Sequence, residues 1–178
     1  MDLTELTTTV GRLLRKRGLT LALAESCTGG LLGHLVTNIP GSSTFFLGGI
    51  VAYSYSLKER ILSVRPSTLI QHGAVSRQTA LEMARGCRHL TSAAIALAIT
   101  GIAGPAGETC DKPVGLTFVA LVAEDVEACE RHVWQGNRLE NKAASAGAAL
   151  GLLEKYLRSG LLQIPDSDDE VEAEIDYP

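Results

Sequence analysis

The feature that most limits how this chain can fold is the run Ala-Ala-Ile-Ala-Leu-Ala-Ile at residues 93–99, closed by Thr100 and a Gly/Pro-rich stretch. These seven residues are the longest uninterrupted apolar segment in the sequence. A membrane-crossing helix needs about 20, so none is expected. A short apolar run bounded by turn residues reads as a buried strand, and residues 93–100 are assigned as one. Such a strand has to be covered by other layers, and the surrounding pattern supplies them.

Residues 3–17 place Leu6, Val10, Leu13 and Leu14 on one helical face, with bases near the end and Gly18 as the stop. Residues 19–24 form a second apolar run, read as a strand. A helix over 31–38 ends before Pro40-Gly41, and 46–53 reads as another strand. Ser56-Leu57-Lys58-Glu59 has the form of a capping box and opens a helix through Leu62; Pro66 suits the start of a further short helix. Ser76 is the expected N-cap of a helix over 77–90, whose apolar stripe is Ala80, Met83, Ala84, Cys87 and Leu90. Residues 114–122 and 129–134 read as antiparallel strands around Ala123-Glu124-Asp125. A helix over 138–157 closes the chain, and its apolar 143–153 face suits either core or an oligomer contact. Alternating strands and helices followed by a hairpin imply an α/β fold, a three-layer α/β/α single domain with a mixed sheet.

The 178 residues suit one compact domain, placed at residues 1–163, and the 46% hydrophobic content excludes disorder along the whole chain. Seven acids and no bases fall within residues 166–178, so residues 164–178 are expected to be a solvated, disordered tail, an interaction segment or a weak mask over a basic site. The net charge of −4 comes from this tail: without its seven acids, sixteen bases face thirteen acids, a body of +3. That balance fits a protein handling an anionic small molecule, and nothing resembles the clustered basic face of a nucleic-acid binder. The start of the sequence shows no signal peptide, so the cytoplasm is the expected location. The cysteines, Cys27, Cys87, Cys110 and Cys129, and the four histidines lack zinc-site spacing, so no metal is expected.

Four constellations could carry chemistry. Ser26 lies between an apolar strand and a Gly-containing helix start. It is either an N-cap or a nucleophile, with the amides of Cys27, Thr28 and Gly29 placed to hold an oxyanion or a phosphate. Cys27 is a competing nucleophile, because a helix start lowers a thiol pKa, or simply a small buried residue. Tyr53 ends a strand and Lys58 sits in the first turn of the next helix, where the helix dipole disfavours its charge. A Ser nucleophile with a Lys base is a recognised pairing; the alternative is a surface lysine beside a strand tyrosine. The loop Thr100-Gly101-Ile102-Ala103-Gly104-Pro105-Ala106-Gly107 follows the clearest strand, where open α/β sheets place ligands. Gly101 and Gly104 allow close approach of a ligand, although the loop is not a Walker A sequence and also reads as a simple turn. Arg138 and Lys142, one turn apart, form a phosphate clamp or a solvated helix face.

These segments occur in a fixed order: Ala24-Glu25-Ser26-Cys27-Thr28-Gly29-Gly30, Tyr53-Ser54-x-x-x-Lys58, His72-Gly73-Ala74-Val75-Ser76, Glu82-Met83-Ala84-x-Gly86, and Thr100 to Pro105 through Lys112-Pro113-Val114-Gly115. In this order they resemble the CinA C-terminal domain family over residues 5–160. The resemblance implies an enzyme of pyridine-nucleotide salvage that hydrolyses the carboxamide of nicotinamide mononucleotide to nicotinate mononucleotide and ammonia. It implies no metal or organic cofactor, a homo-oligomer, and larger relatives in which a pyrophosphatase domain precedes this one. It assigns Ser26 as nucleophile, Lys58 as base and Tyr53 as orienting or relaying group. Amides near Cys27 and Thr28, with those of the Gly101–Gly104 loop, would hold the oxyanion, and Arg138 the phosphate. Three positions depart from the family pattern: Tyr55 stands for the usual Asn, Lys142 for an Arg, and Ala106 for Asp or Gly. Other readings are an amidase or esterase for a different nucleotide-like substrate, or a non-enzymatic interaction or regulatory protein linked to competence or DNA damage, with the acidic tail as its contact.

Overall fold

The computed structural model describes residues 2–159. The expectations for the acidic tail and for a boundary at residue 163 lie outside the described residues. Six α-helices and five strands run in the order α1 (Leu3–Arg17), β1 (Leu21–Glu25), α2 (Leu31–Thr37), β2 (Phe46–Val51), α3 (Tyr55–Leu62), α4 (Pro66–His72), α5 (Arg77–Thr91), β3 (Ile95–Gly101), β4 (Leu116–Val122), β5 (Glu127–Val133) and α6 (Arg138–Ser159). No helix among the described residues is long and apolar enough to cross a membrane.

The sheet order is β2-β1-β3-β4-β5. β2, β1 and β3 are parallel, whereas β4 and β5 are antiparallel additions, so the sheet is mixed as expected. β1 and β3 are buried almost throughout because both faces are covered. Leu21, Leu23, Leu97 and Ile99 face the core shared with α1, α2 and α6, while Ala22, Ala24, Ala96 and Ala98 face α5. The small alanines let α5 lie close to the sheet, and the leucines fill the wider space on the opposite side. Each fully buried leucine there contributes about 1.5–3 kcal/mol. The apolar face of α6 joins the core: Ala146, Ala149, Leu150 and Leu153 are fully buried.

Local signals set the helix ends. Gly18 takes the left-handed conformation at φ 63° to close α1, and the Ser76 hydroxyl caps α5 at the Thr79 amide. Two details differ from the sequence reading. Ser54, not Ser56, caps α3, its hydroxyl accepting from the Leu57 amide; this starts the helix one residue before the expected box and moves Lys58 to the end of the first turn. Leu90 is exposed and lies outside the buried stripe of α5, which ends at Cys87.

Two residues of α5 that read only as motif members fix α3 and α4 against it. A Cβ on Gly86 would stand 1.8 Å from the Leu62 carbonyl oxygen, so only glycine admits this approach. The buried Glu82 carboxylate accepts from the Arg65 amide (2.9 Å), the Arg65 Nε (2.7 Å) and the Thr68 hydroxyl (2.9 Å), tying down the start of α4. This packing holds α3, and with it Lys58, beside the carboxyl end of β1.

Candidate active site

β1 ends at Glu25, which pairs with Val51 on one side and Ile99 on the other. Ser26 follows at once, its amide donating to the Ile99 carbonyl at 3.0 Å. The serine therefore stands at the carboxyl end of a central parallel strand, the position where open α/β sheets hold ligands.

Ser26 is not the cap of α2. The buried Glu25 carboxylate takes that role, accepting from the amides of Gly30 (3.0 Å), Leu32 (3.1 Å) and Gly33 (2.8 Å). An acid at a helix start satisfies unpaired amides and complements the dipole. The Ser26 hydroxyl is left for Lys58, whose Nζ lies 3.0 Å away. Sequence reasoning passed over Glu25; the signal available was an acid closing an otherwise apolar strand directly before a glycine-rich turn.

Lys58 is 1% exposed. Its Nζ donates to the Ser26 hydroxyl, to the Ala52 carbonyl at 2.7 Å and to the Tyr53 carbonyl at 3.3 Å. These acceptors match the three protons of an ammonium one for one. Burial pulls its pKa down to about 8, because desolvation penalises the charged form. Loss of one proton leaves two N–H groups on the two carbonyls and a lone pair directed at Ser26 Oγ. The arrangement can thus take a proton from the serine without moving a side chain.

Cys27 is not a poised thiolate. Burial pushes its thiol up to about 11, against the expectation that the helix start would lower it. The Gly29 amide is also taken, donating to the Ser26 carbonyl at 3.0 Å, whereas among the described residues no backbone carbonyl accepts from the Cys27 or Thr28 amide.

The Tyr53 phenol does not lie between Ser26 and Lys58, which touch directly. It is 60% exposed, and its hydroxyl accepts from Arg138 Nη2 at 3.2 Å. Only the Tyr53 carbonyl reaches Lys58. Arg138 Nη1 donates to the Gly104 carbonyl at 2.6 Å, so this guanidinium joins the tyrosine to the glycine loop. Gly104 has φ 87°, and a Cβ there would meet Val114 at 2.7 Å. Gly101 abuts Thr117, 2.6 Å from where its Cβ would be, and the next amide, Ile102, is spent on the Leu116 carbonyl. The two glycines pack the loop onto Val114 and the start of β4.

Lys142 reaches the same place from α6. Its Nζ lies 3.8 Å from the position a Gly29 Cβ would take, and its charge acts on Cys27. It is half-buried and has neither an ion pair nor a hydrogen bond among the described residues. Asn141 anchors that turn of α6, donating to the Ala103 carbonyl and accepting from the Gly136 amide. Tyr55, also exposed, accepts from the Ala74 amide at 3.3 Å. No group of three or more metal-ligating side chains occurs among the described residues.

Fold and site together define a class: a three-layer α/β protein with a buried serine–lysine pair on the turn after a central parallel strand. The family model for the CinA C-terminal domain matches residues 3–157, and the chain belongs to that family. A CinA-like protein of Thermotoga sp. (strain RQ2) is 50% identical over 149 residues, which are 84% of this chain and 36% of that protein. The chain spans little more than a third of the length of the curated relatives it matches. The crystal structure of competence damage-inducible protein A from Klebsiella pneumoniae subsp. pneumoniae MGH 78578 superposes with a TM-score of 0.87 at 34% identity, covering 90% of this chain and 100% of that one. The competence/damage inducible protein CihA from Agrobacterium tumefaciens gives a TM-score of 0.83 at 39% identity, over 89% and 96% of the two chains.

Proposed function

We propose that this chain is a nicotinamide-nucleotide amidase that hydrolyses the carboxamide of nicotinamide mononucleotide to nicotinate mononucleotide and ammonia. The observation that carries the reading is the 3.0 Å contact between Ser26 Oγ and a buried Lys58 whose pKa lies near 8. An amide is a poor electrophile, so its hydrolysis needs an activated nucleophile and a site for the oxyanion.

In this reading neutral Lys58 takes the Ser26 proton as Oγ attacks the carboxamide carbon, and the carbonyl electron pair moves onto oxygen. The Cys27 and Thr28 amides hold that oxyanion. Collapse of the intermediate breaks the C–N bond, and Lys58 returns the proton to the leaving ammonia. The resulting acyl-enzyme ester is opened by water, deprotonated by Lys58, to give the carboxylate. Arg138 and Lys142 supply positive charge for the substrate phosphate, with Tyr53 setting the Arg138 geometry. Lys142 meets the phosphate as a point charge rather than as the two-pronged fork of an arginine.

The test is ammonia release from nicotinamide mononucleotide by the purified protein, beside Ser26→Ala. Release by the wild type alone supports both substrate and nucleophile. Equal release by the variant removes Ser26 from the mechanism. Release by neither returns the chain to other nucleotide-like amides or to the interaction reading. Sedimentation of the same preparation tests the homo-oligomer that the family resemblance implies.

A further inference from the structure

Thr28 is fully buried on the turn that carries Ser26. Among the described residues, its hydroxyl is the one buried side-chain polar atom without a hydrogen-bond partner. Other buried threonines are matched: Thr7 donates to the Leu3 carbonyl, Thr68 to Glu82, Thr79 to the Gly73 carbonyl and Thr100 to the Ala74 carbonyl, and Thr117 meets Ser145. Threonines near helix starts ordinarily bond to local backbone, and a buried hydroxyl left unmatched is costly. The amides that follow Thr28 have partners. Glu25 holds the Gly30, Leu32 and Gly33 amides, and the Ser26 carbonyl holds the Gly29 amide. Two amides of this turn, those of Cys27 and Thr28, are not taken by a backbone carbonyl among the described residues, and they belong to the same short stretch as the unmatched hydroxyl.

We propose that the Thr28 hydroxyl is a positioning group for the nucleophile turn, without a partner in the resting protein and hydrogen-bonded only when Ser26 carries the tetrahedral adduct. It does not touch substrate, because it has no exposed surface. It acts through the backbone. As Oγ bonds to carbon and the electron pair moves onto oxygen, the Cys27 and Thr28 amides are drawn to the new anion. Rotation of the Cys27–Thr28 peptide turns its carbonyl, which accepts from no backbone amide among the described residues, to the hydroxyl. The bond is then stronger in the transition state than in the ground state, the condition for raising kcat rather than lowering KM. This inference rests on the amidase reading.

The experiment uses the full chain as wild type, Thr28→Val and Thr28→Ser. It records Tm, kcat and KM for nicotinamide mononucleotide, and the rate at which a fluorophosphonate labels Ser26. That probe forms a Ser–O–P bond with loss of fluoride and leaves a tetrahedral adduct, so it reports on the turn without any amide. Valine keeps the shape and removes the unmatched hydroxyl. The Thr28→Val protein is expected to melt at or above the wild-type temperature, with KM within about twofold and kcat lowered at least about tenfold. Labelling should slow in parallel, and Thr28→Ser should restore most of kcat. Wild-type kcat in Thr28→Val overturns the inference. So does a Tm lowered by more than about 5 °C, which would mean that the hydroxyl already has a partner such as a buried water. A wild type that is labelled but releases no ammonia rejects the substrate alone, and the labelling ratio still decides the role of Thr28. A wild type that does neither overturns both.

Discussion

Lys58 Nζ stands 3.0 Å from Ser26 Oγ, and no carboxylate among the described residues pairs with that ammonium. A buried lysine held by a hydroxyl and two carbonyls gains its reactivity from desolvation, which outweighs the opposing pull of the nearby Cys27 thiol.

The first prediction is a pH profile. The base works only when neutral, so kcat/KM should rise with pH through a midpoint of about 8, losing roughly tenfold per unit below it. Rates measured between about pH 6 and 10 check this; a flat profile through the midpoint contradicts it. Stability should respond as well. The folded-state pKa of about 8 lies below the ordinary 10.5, so between those values the unfolded chain binds more protons. Unfolding free energy therefore rises with pH across that window, and the charged lysine costs stability below it. Compared with Lys58→Met in urea titrations, the wild type should gain up to about 3 kcal/mol from the bottom to the top of the window.

The second concerns Tyr53. Its phenol bonds to Arg138, not to the serine–lysine pair. Tyr53→Phe should leave kcat within about threefold and raise KM several-fold, with stability changed by less than about 0.5 kcal/mol. A loss of kcat as large as that of Lys58→Ala would restore the relay role.

The third is Glu25→Gln. The amide keeps the size of the carboxylate but loses its charge and turns donors toward three amides that need acceptors. The expected cost is about 1–3 kcal/mol in urea-induced unfolding. Because Ser26 is the adjacent residue, kcat should fall more than KM rises. Unchanged stability would show that α2 is capped in another way.

The fourth is Gly86→Ala. Its new methyl would meet the Leu62 carbonyl oxygen at 1.8 Å, and backbone cannot move aside as a side chain can. The substitution should destabilise the fold by more than about 2 kcal/mol. The α3–α5 spacing that places Lys58 should also open, so activity should fall even where the protein remains folded. Full activity in a folded variant would separate this contact from the site.

Much of this was legible in the sequence. The 93–100 run, the Gly18 stop, the Ser76 cap and the antiparallel pair each follow a local rule, and the structure obeys it. The pairing of Ser26 with Lys58 came from the reactivity of two residue types and from the family resemblance; neither supplies a distance. Where the sequence reading missed, two local solutions competed. Ser54 and Ser56 both suit a cap, and Ser26 suits one as well as Glu25 does.

The sequence by itself determined the elements, the layer order and the residue types at the carboxyl end of β1, because periodicity, capping and turn chemistry act over a few neighbouring residues. Only the tertiary structure decided that Glu25 takes over the cap and frees Ser26, that Tyr53 turns to Arg138, and that Cys27 stays a thiol. It also decided that Lys58, 32 residues away, enters the site with no carboxylate partner among the described residues. Those outcomes depend on which groups lose water together, and burial is a property of the packed chain that no local pattern contains.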